Sequence, residues 1–522
     1  MAVTGLMIRR ITVLLLFLGI TALSAAEFRM AQLFSDHMVL QRDKFVTVWG
    51  WGNPGEWVTV EFAGQKVSTQ CNNQGAWYAV LQPMAASSEP RKMLVYGSDQ
   101  PVCKKQRWVE INDILVGEVW LGSGQSNMAL TVNKCLNPEV EKANAKYPLI
   151  REFHEWSSTA SEARLDSTGK WTPCSPETVS SFSGALYFMA RELHQKLGVP
   201  IGIINSSVGG TGIEYWMRTE AQMHDPAIRD NLIRAQNDFK NLNYEKRQEK
   251  YEAEIAAWNT EVQKAQAEGK PLPPKPKDWF WIYTIYKTQG PPAGLFNGKI
   301  APLIPYALRG IVWYQGEANC SPERSKLYGT HLKLLINDWR QLWREDLPFI
   351  FAQLPGYKSE NGQWWPYVRE GQLQALSLPN TGMITTMDVG EKDDIHPRNK
   401  QAIGYRFAQW ALGNVYHQKV PAITGPLPDK FDYGFKKVVI SFKHAEGLKT
   451  TDGGKPKNFF IAAKDGPYVP AEAVIFEDKI IVSHPDIWWP AGVRYAWDEA
   501  PEVNLVNGAD LPASPFRTDG GN

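Results

Sequence analysis

Over residues 27–108, apolar and polar positions alternate with a period of two in short segments, as in Val46-Thr47-Val48-Trp49-Gly50 and Trp57-Val58-Thr59-Val60-Glu61-Phe62. Turn residues such as Asn72-Asn73-Gln74-Gly75 separate them, so the pattern predicts a small antiparallel β domain. After Ile111 the rhythm changes. Residues 116–121, 201–204, 310–314, 349–354 and 383–387 are nearly unbroken apolar runs, as strands buried on both faces require. Between them Phe182, Leu186, Met189, Leu193 and Leu197 recur at helical spacing, as do Leu332, Leu335, Ile336, Trp339 and Trp343. Strands alternating with helical stripes predict an α/β domain over residues 109–416, a parallel sheet with helices on both faces. Ligands of such a sheet sit beyond the carboxyl ends of its strands.

One stretch breaks this alternation. Tyr251, Ile255, Trp258, Val262 and Ala265 form a helical stripe in a charged background that ends in Pro271-Leu272-Pro273-Pro274-Lys275-Pro276. The pattern predicts a helical insert at about residues 220–280 whose apolar face packs on the central domain. Period-two segments return in Lys437-Val438-Val439-Ile440-Ser441-Phe442 and Lys479-Ile480-Ile481-Val482-Ser483, predicting a second β domain over residues 417–522.

The N-terminal residues 1–26 place Arg9 and Arg10 before an apolar run that ends in Ser24-Ala25-Ala26, the pattern of a cleaved export signal. The run is short of the about 20 residues a spanning helix needs, so export to the periplasm or the exterior is expected rather than anchoring. The chain's 56 basic and 55 acidic residues nearly cancel, which removes net charge as a reason to expect nucleic acid or an anionic membrane as partner. Five cysteines carry no metal-ligand spacing; Cys71 with Cys103 and Cys135 with Cys174 are candidate disulfides, and buried free thiols are the alternative.

Four loops after predicted buried strands carry candidate chemistry. In Gly122-Ser123-Gly124-Gln125-Ser126-Asn127-Met128 a strand runs into a glycine-bearing turn that presents Ser126, with Ser123 as the rival hydroxyl. The absence of the second glycine of GxSxG argues against an α/β-hydrolase elbow. Asp393-Asp394-Ile395-His396-Pro397 sets an imidazole beside acids, Asp393 at DxxH spacing and Asp394 as the alternative orienter. Asn205-Ser206-Ser207-Val208-Gly209-Gly210-Thr211 offers backbone N–H groups at its glycines, and Trp313-Tyr314-Gln315-Gly316-Glu317-Ala318-Asn319 offers the Gln315 amide. No HExxH or His/Asp ligand cluster is evident, and no metal or cofactor is expected.

Taken in this order, GQSNM with Ser126, the Gly209-Gly210-Thr211 loop, WYQGEAN with Gln315 and DIHPRNK with His396 resemble the SGNH hydrolase superfamily, and within it the sialate O-acetylesterase family. Leu33-Phe34-Ser35-Asp36-His37-Met38-Val39-Leu40-Gln41 and Gly294-Leu295-Phe296-Asn297-Gly298-Lys299-Ile300-Ala301-Pro302 extend the resemblance over most of the chain. It implies an SGNH-type, flavodoxin-like sheet flanked by β-sandwich-like domains. It also implies hydrolysis of acetyl esters on sugars without a cofactor: Ser126 as nucleophile, His396 as base, Asp393 as acid, and an oxyanion hole from Ser126, Gly210 and Gln315. Glu317, Asn319, Trp216 and Arg398 are candidate substrate contacts, Arg398 as a partner for a sialate carboxylate, with Trp281, Trp364 and Trp365 as further lining. Acetylated xylan and other plant glycans are the alternative substrates. A glycan-binding protein without catalysis, or a serine peptidase, are the readings from other classes.

Overall fold

A computed structural model describes residues 27–98, 107–241, 243–276, 288, 290–359 and 362–519. The expected export signal, Cys103 and Trp281 lie outside the described residues.

The apolar runs form strands β1 (Arg107–Gly124), β2 (Ile150–Glu155), β3 (Gly169–Pro173), β4 (Ile201–Ser207), β5 (Gly310–Tyr314), β6 (Phe349–Ala352) and β7 (Thr381–Ile384), side by side in the order 3-2-4-1-5-6-7. All neighbours run parallel except β3, which closes one edge antiparallel to β2. Along β5, Ile311 and Trp313 enter one core while Val312 and Tyr314 enter another. A strand packed on both faces has no polar side to show, hence its unbroken apolar sequence.

The helices of this region include α1 (Ser126–Ala129), α2 (Gly184–Leu197), α3 (Pro226–Lys240), α4 (Tyr244–Ala267), α5 (Tyr328–Trp343), α6 (Trp365–Ala375) and α7 (Lys400–Asn414). Leu186, Met189 and Leu193 of α2 share one core with Ile403 and Phe407 of α7; Leu332, Leu335 and Trp339 of α5 share the other with Val368 of α6. The stripe of α4 does not reach this core as expected. Trp258 donates its indole N–H to the Pro273 carbonyl at 3.0 Å and Lys275 lies 6.0 Å from the ring, so the proline segment that returns from the helix supplies the contact.

β1 spans residue 108 without a break, where the pattern placed a domain boundary. Its first half pairs antiparallel with Ser87–Ser98 and parallel with Val39–Gln41, so the N-terminal strands and the central sheet make one eleven-stranded sheet. Arg29–Met30, Val46–Trp51 and Ala76–Leu81 form a second, three-stranded layer. Beyond residue 426 two four-stranded sheets enclose a core of their own that contains Val438, Ile440, Phe459, Ile480 and Tyr495.

Cys135 and Cys174 are separate buried thiols rather than a pair, and Cys71 is also a buried thiol. Cys135 Sγ contacts the Thr131 carbonyl at 3.5 Å and Cys174 Sγ the Ala145 carbonyl at 3.7 Å. Burial pushes both thiols up to about 12, which suppresses the thiolate that oxidation needs.

Candidate active site

β1 lies between β4 and β5, and its carboxyl end opens into the serine loop. Gly124 sits at φ +130°, and a Cβ there would stand 2.2 Å from the Tyr314 carbonyl oxygen, so only glycine lets the chain turn this closely past β5. Gln125 N then donates to that carbonyl at 3.0 Å, and Ser126 opens the short helix α1. Ser123, the rival hydroxyl, is fully buried with no hydrogen-bond partner among the described residues and takes no part in a cleft.

From the loop between β7 and α7, His396 reaches across to Ser126: Nε2 stands 2.8 Å from Ser126 Oγ, although 270 positions separate them. Its other nitrogen, Nδ1, lies 3.6 Å from Asp394 Oδ1, and the same oxygen accepts from the His396 backbone N–H at 2.8 Å. Asp394 therefore replaces Asp393 as the acid beside the ring. Asp393 is exposed, and the tight turn in which Glu391 bridges to Asp394 brings only the second acid back toward the imidazole. Burial holds the His396 imidazole below its ordinary value, with the charges of Lys400 and Lys134 adding to the effect and Asp394 opposing it. Neutral imidazole hydrogen-bonded to a hydroxyl is the arrangement of a general base and its nucleophile.

A cavity of about 450 Å³ opens over this pair, lined by Ser126, Ala129, Leu130, Thr131, Lys134, Gly209, Asp394, His396 and Arg398. Gly209 packs on Ser126, since a Cβ there would lie 3.3 Å from the serine Cβ; Gly210 follows at φ +72°. Arg398 sits at the rim, its guanidinium 3.4 Å from the carbonyls of Lys134 and Cys135. Lys134 lines the same wall.

Several expected contacts lie elsewhere. The Gln315 amide is fully buried and already donates to Gln125 Oε1, the Thr211 carbonyl and Asn319 Oδ1, at 3.1, 3.0 and 2.7 Å, so it has no free N–H for an oxyanion. Asn319 completes that network: it accepts from Ile213 N and donates to Glu214, beneath the loop rather than in the cavity. Glu317 is buried too, accepting from Asn127 Nδ2. Trp216 has no exposure, packs edge-on against Trp313 and donates to Thr211 Oγ1. Trp365 is equally enclosed, and Trp364 stacks on Tyr367 away from the cavity lining. These segments brace the serine loop from below, which their position just after buried strands permits as readily as ligand contact.

Among the residues at the site to which the sequence assigned no role are Lys134, Asn127 and Lys400. Lys134 had no local signal, coming from an irregular segment that only the fold brings to the cleft. Lys400 had one, because with Ile403, Gly404 and Phe407 it falls on the buried side of α7, where a lysine is unexpected.

The model of the carbohydrate esterase family described as sialic acid-specific acetylesterase matches residues 116–264 and 298–413, half of the chain and all of the loops above. The sialate O-acetylesterase of Mus musculus is 28% identical over 97% of this chain and 96% of its own length. That of Homo sapiens is 27% identical over 94% of this chain and 92% of its own. Among solved structures, a carbohydrate acetylesterase from Xanthomonas citri superposes with a TM-score of 0.79 at 29% identity, over 95% of this chain and 100% of that one. With a serine and a histidine in contact at the mouth of the sheet, the chain is a carboxylic ester hydrolase and belongs to the sialic acid-specific acetylesterase family of carbohydrate esterases.

Proposed function

We propose that the protein removes O-acetyl groups from sialic acids, with Ser126 as nucleophile and His396 as general base and then acid. The observation that carries the reading is the 2.8 Å contact between Ser126 Oγ and His396 Nε2 at the floor of an open cavity. Ser126 Oγ attacks the acetyl carbonyl while its proton passes to Nε2. The imidazolium returns that proton to the departing sugar oxygen, and water, deprotonated by the same nitrogen, releases acetate from the acyl-serine. The oxyanion faces the backbone N–H groups of Ser126 and Gly210, the expected pair, without the Gln315 amide. Asp394 orients the ring, but half-exposed to solvent and 3.6 Å away it is a weak orienter.

The architecture is read as SGNH-type because, leaving out β2 and β3, the sheet runs 4-1-5-6-7, so that its first strand stands second from the edge with the serine at its carboxyl end. Sialate is favoured over neutral sugars by two cations on one cavity wall, Lys134 and Arg398, placed to pair with a carboxylate. The N-terminal segment is read as an export signal from Arg9, Arg10 and the apolar run after them, placing the mature protein in the periplasm or outside the cell. No helix among the described residues is long and apolar enough to cross a membrane.

The test is to compare 9-O-acetylated sialic acid with acetylated xylan on wild type and Arg398→Ala. The expected outcome is a preference for the sialate, with Arg398→Ala raising KM for it about tenfold, the value of one charge-assisted contact, and leaving xylan unchanged. Equal kcat/KM on both substrates, or an Arg398→Ala effect on both alike, would defeat the sialate assignment.

A further inference from the structure

Beneath the cavity runs a buried polar chain that no step above uses. Asn127 Oδ1 accepts from Lys400 Nζ at 2.6 Å, while Asn127 Nδ2 donates to Glu317 Oε1 and to the Ile395 carbonyl at 2.9 Å. All three side chains are buried. Asn127 follows Ser126 and Ile395 precedes His396, so one amide spans the two loops whose side chains must meet. Its sense is fixed, because an ammonium only donates and a carbonyl or carboxylate only accepts; a flipped amide would set donor against donor at Lys400 and acceptor against acceptor at Ile395.

The chain is a poor way to gain stability. Lys400 makes no direct ion pair among the described residues, and burial pushes it down to about 8. Glu317 is pushed up by burial, and its second oxygen has no hydrogen-bond partner among the described residues. Apolar residues of similar volume hold a core at least as well as buried charges, so what this chain adds is a defined geometry.

We propose, resting on the reading of Ser126 and His396 as the reacting pair, that Asn127 is a positioning residue which sets the Ser126–His396 distance, its amide held in one orientation by Lys400 and Glu317. The clamp acts on the chemical step and not on substrate binding, since none of its three members lines the cavity.

The experiment is steady-state kinetics on 4-nitrophenyl acetate with the full chain. Asn127→Ala is expected to lower kcat about 100-fold, the cost of roughly 1 Å of misplacement, with KM within about twofold. Lys400→Met removes the donor to Asn127 Oδ1; it is expected to lower kcat about tenfold with KM within about twofold, the split between kcat and KM separating positioning from mere support of the fold, whatever Tm is lost with the orphaned acceptor. Glu317→Gln keeps the acceptor oxygen and retains kcat within about twofold. Tyr495→Phe removes a buried hydroxyl that has no side-chain hydrogen-bond partner among the described residues, in the separate C-terminal core, and serves as the neutral control. Asn127→Ala or Lys400→Met with wild-type kcat, in a background where Ser126→Ala is inactive, would overturn the clamp alone. An active Ser126→Ala would overturn the reacting pair on which it rests.

Discussion

At the residue scale, the protonation of one imidazole governs the proposed mechanism. Burial, Lys400 and Lys134 lower the affinity of His396 for a proton and Asp394 raises it, with a net value below the ordinary 6.5. A histidine with a lowered value stays neutral, and so competent as a base, until the pH falls through that lowered value. The kcat/KM of the wild type is therefore expected to hold at neutral pH and to decline only below about 6.5. Asp394→Asn removes the one influence that raises the value. It is expected to move the acid limb to still lower pH and to cost about tenfold in kcat, a small loss because the carboxylate is half in solvent. Asp393→Asn leaves both unchanged. An acid limb that follows Asp393 instead would restore the DxxH reading, and the pH profiles of the two variants decide between them.

At the element scale, the site depends on how closely α7 can approach α2, because α7 begins four residues after His396 and carries Lys400. Gly404 is the point of contact: a Cβ there would stand 2.4 Å from the Phe188 Cβ and 2.6 Å from the Met189 nitrogen. Gly404→Ala is expected to force the helices apart, destabilising the fold by about 1–3 kcal/mol. Thermal unfolding should show a lower Tm, and kcat should fall more than KM rises; an unchanged Tm would mean the helix pair tolerates the methyl.

The elements themselves were legible in the sequence because burial leaves a period. The stripes at Leu186, Met189 and Leu193 and at Leu332, Leu335 and Trp339 are buried as expected, and the apolar runs are the parallel strands. Two things were not legible. A serine and a histidine 270 positions apart are joined only by topology, and here the motif resemblance succeeded where spacing is silent. Polar residues in loops after strands look alike whether they face a ligand or hold the loop from beneath; Gln315, Glu317 and Asn319 are of the second kind because they are buried and hydrogen-bonded to one another's loops within the core. Asp393 and Asp394 differ by one position in a turn, a distinction carried by backbone geometry rather than by residue type.

At the scale of the whole molecule, the N-terminal β region is built into the central sheet, while the C-terminal one, with sheets of its own, is pinned to the central domain by polar contacts. β1 belongs to the N-terminal strands and to the central sheet at once, so the residues that lead into Ser126 are anchored in both. On the other side, the buried guanidinium of Arg369 donates to the Leu354 and Pro355 carbonyls within the central domain and to the Asp498 and Glu499 carbonyls of the C-terminal region. With carbonyls and no carboxylate as partners, burial pushes it down to about 9, and it acts as a rivet of four neutral acceptors. Arg517 adds a paired contact to Glu370 of α6 at 2.8 and 2.9 Å. The cleft therefore sits in a scaffold braced from both ends, which fits a site that holds its reacting atoms 2.8 Å apart.

The most direct test of this account is acetate release from 9-O-acetylated sialic acid by wild type and by Ser126→Ala, with intact-mass measurement of the wild type during turnover. The account predicts a rate lower by about a thousandfold or more in the variant and a transient acetyl adduct on Ser126 in the wild type. Comparable rates from the two proteins would contradict it.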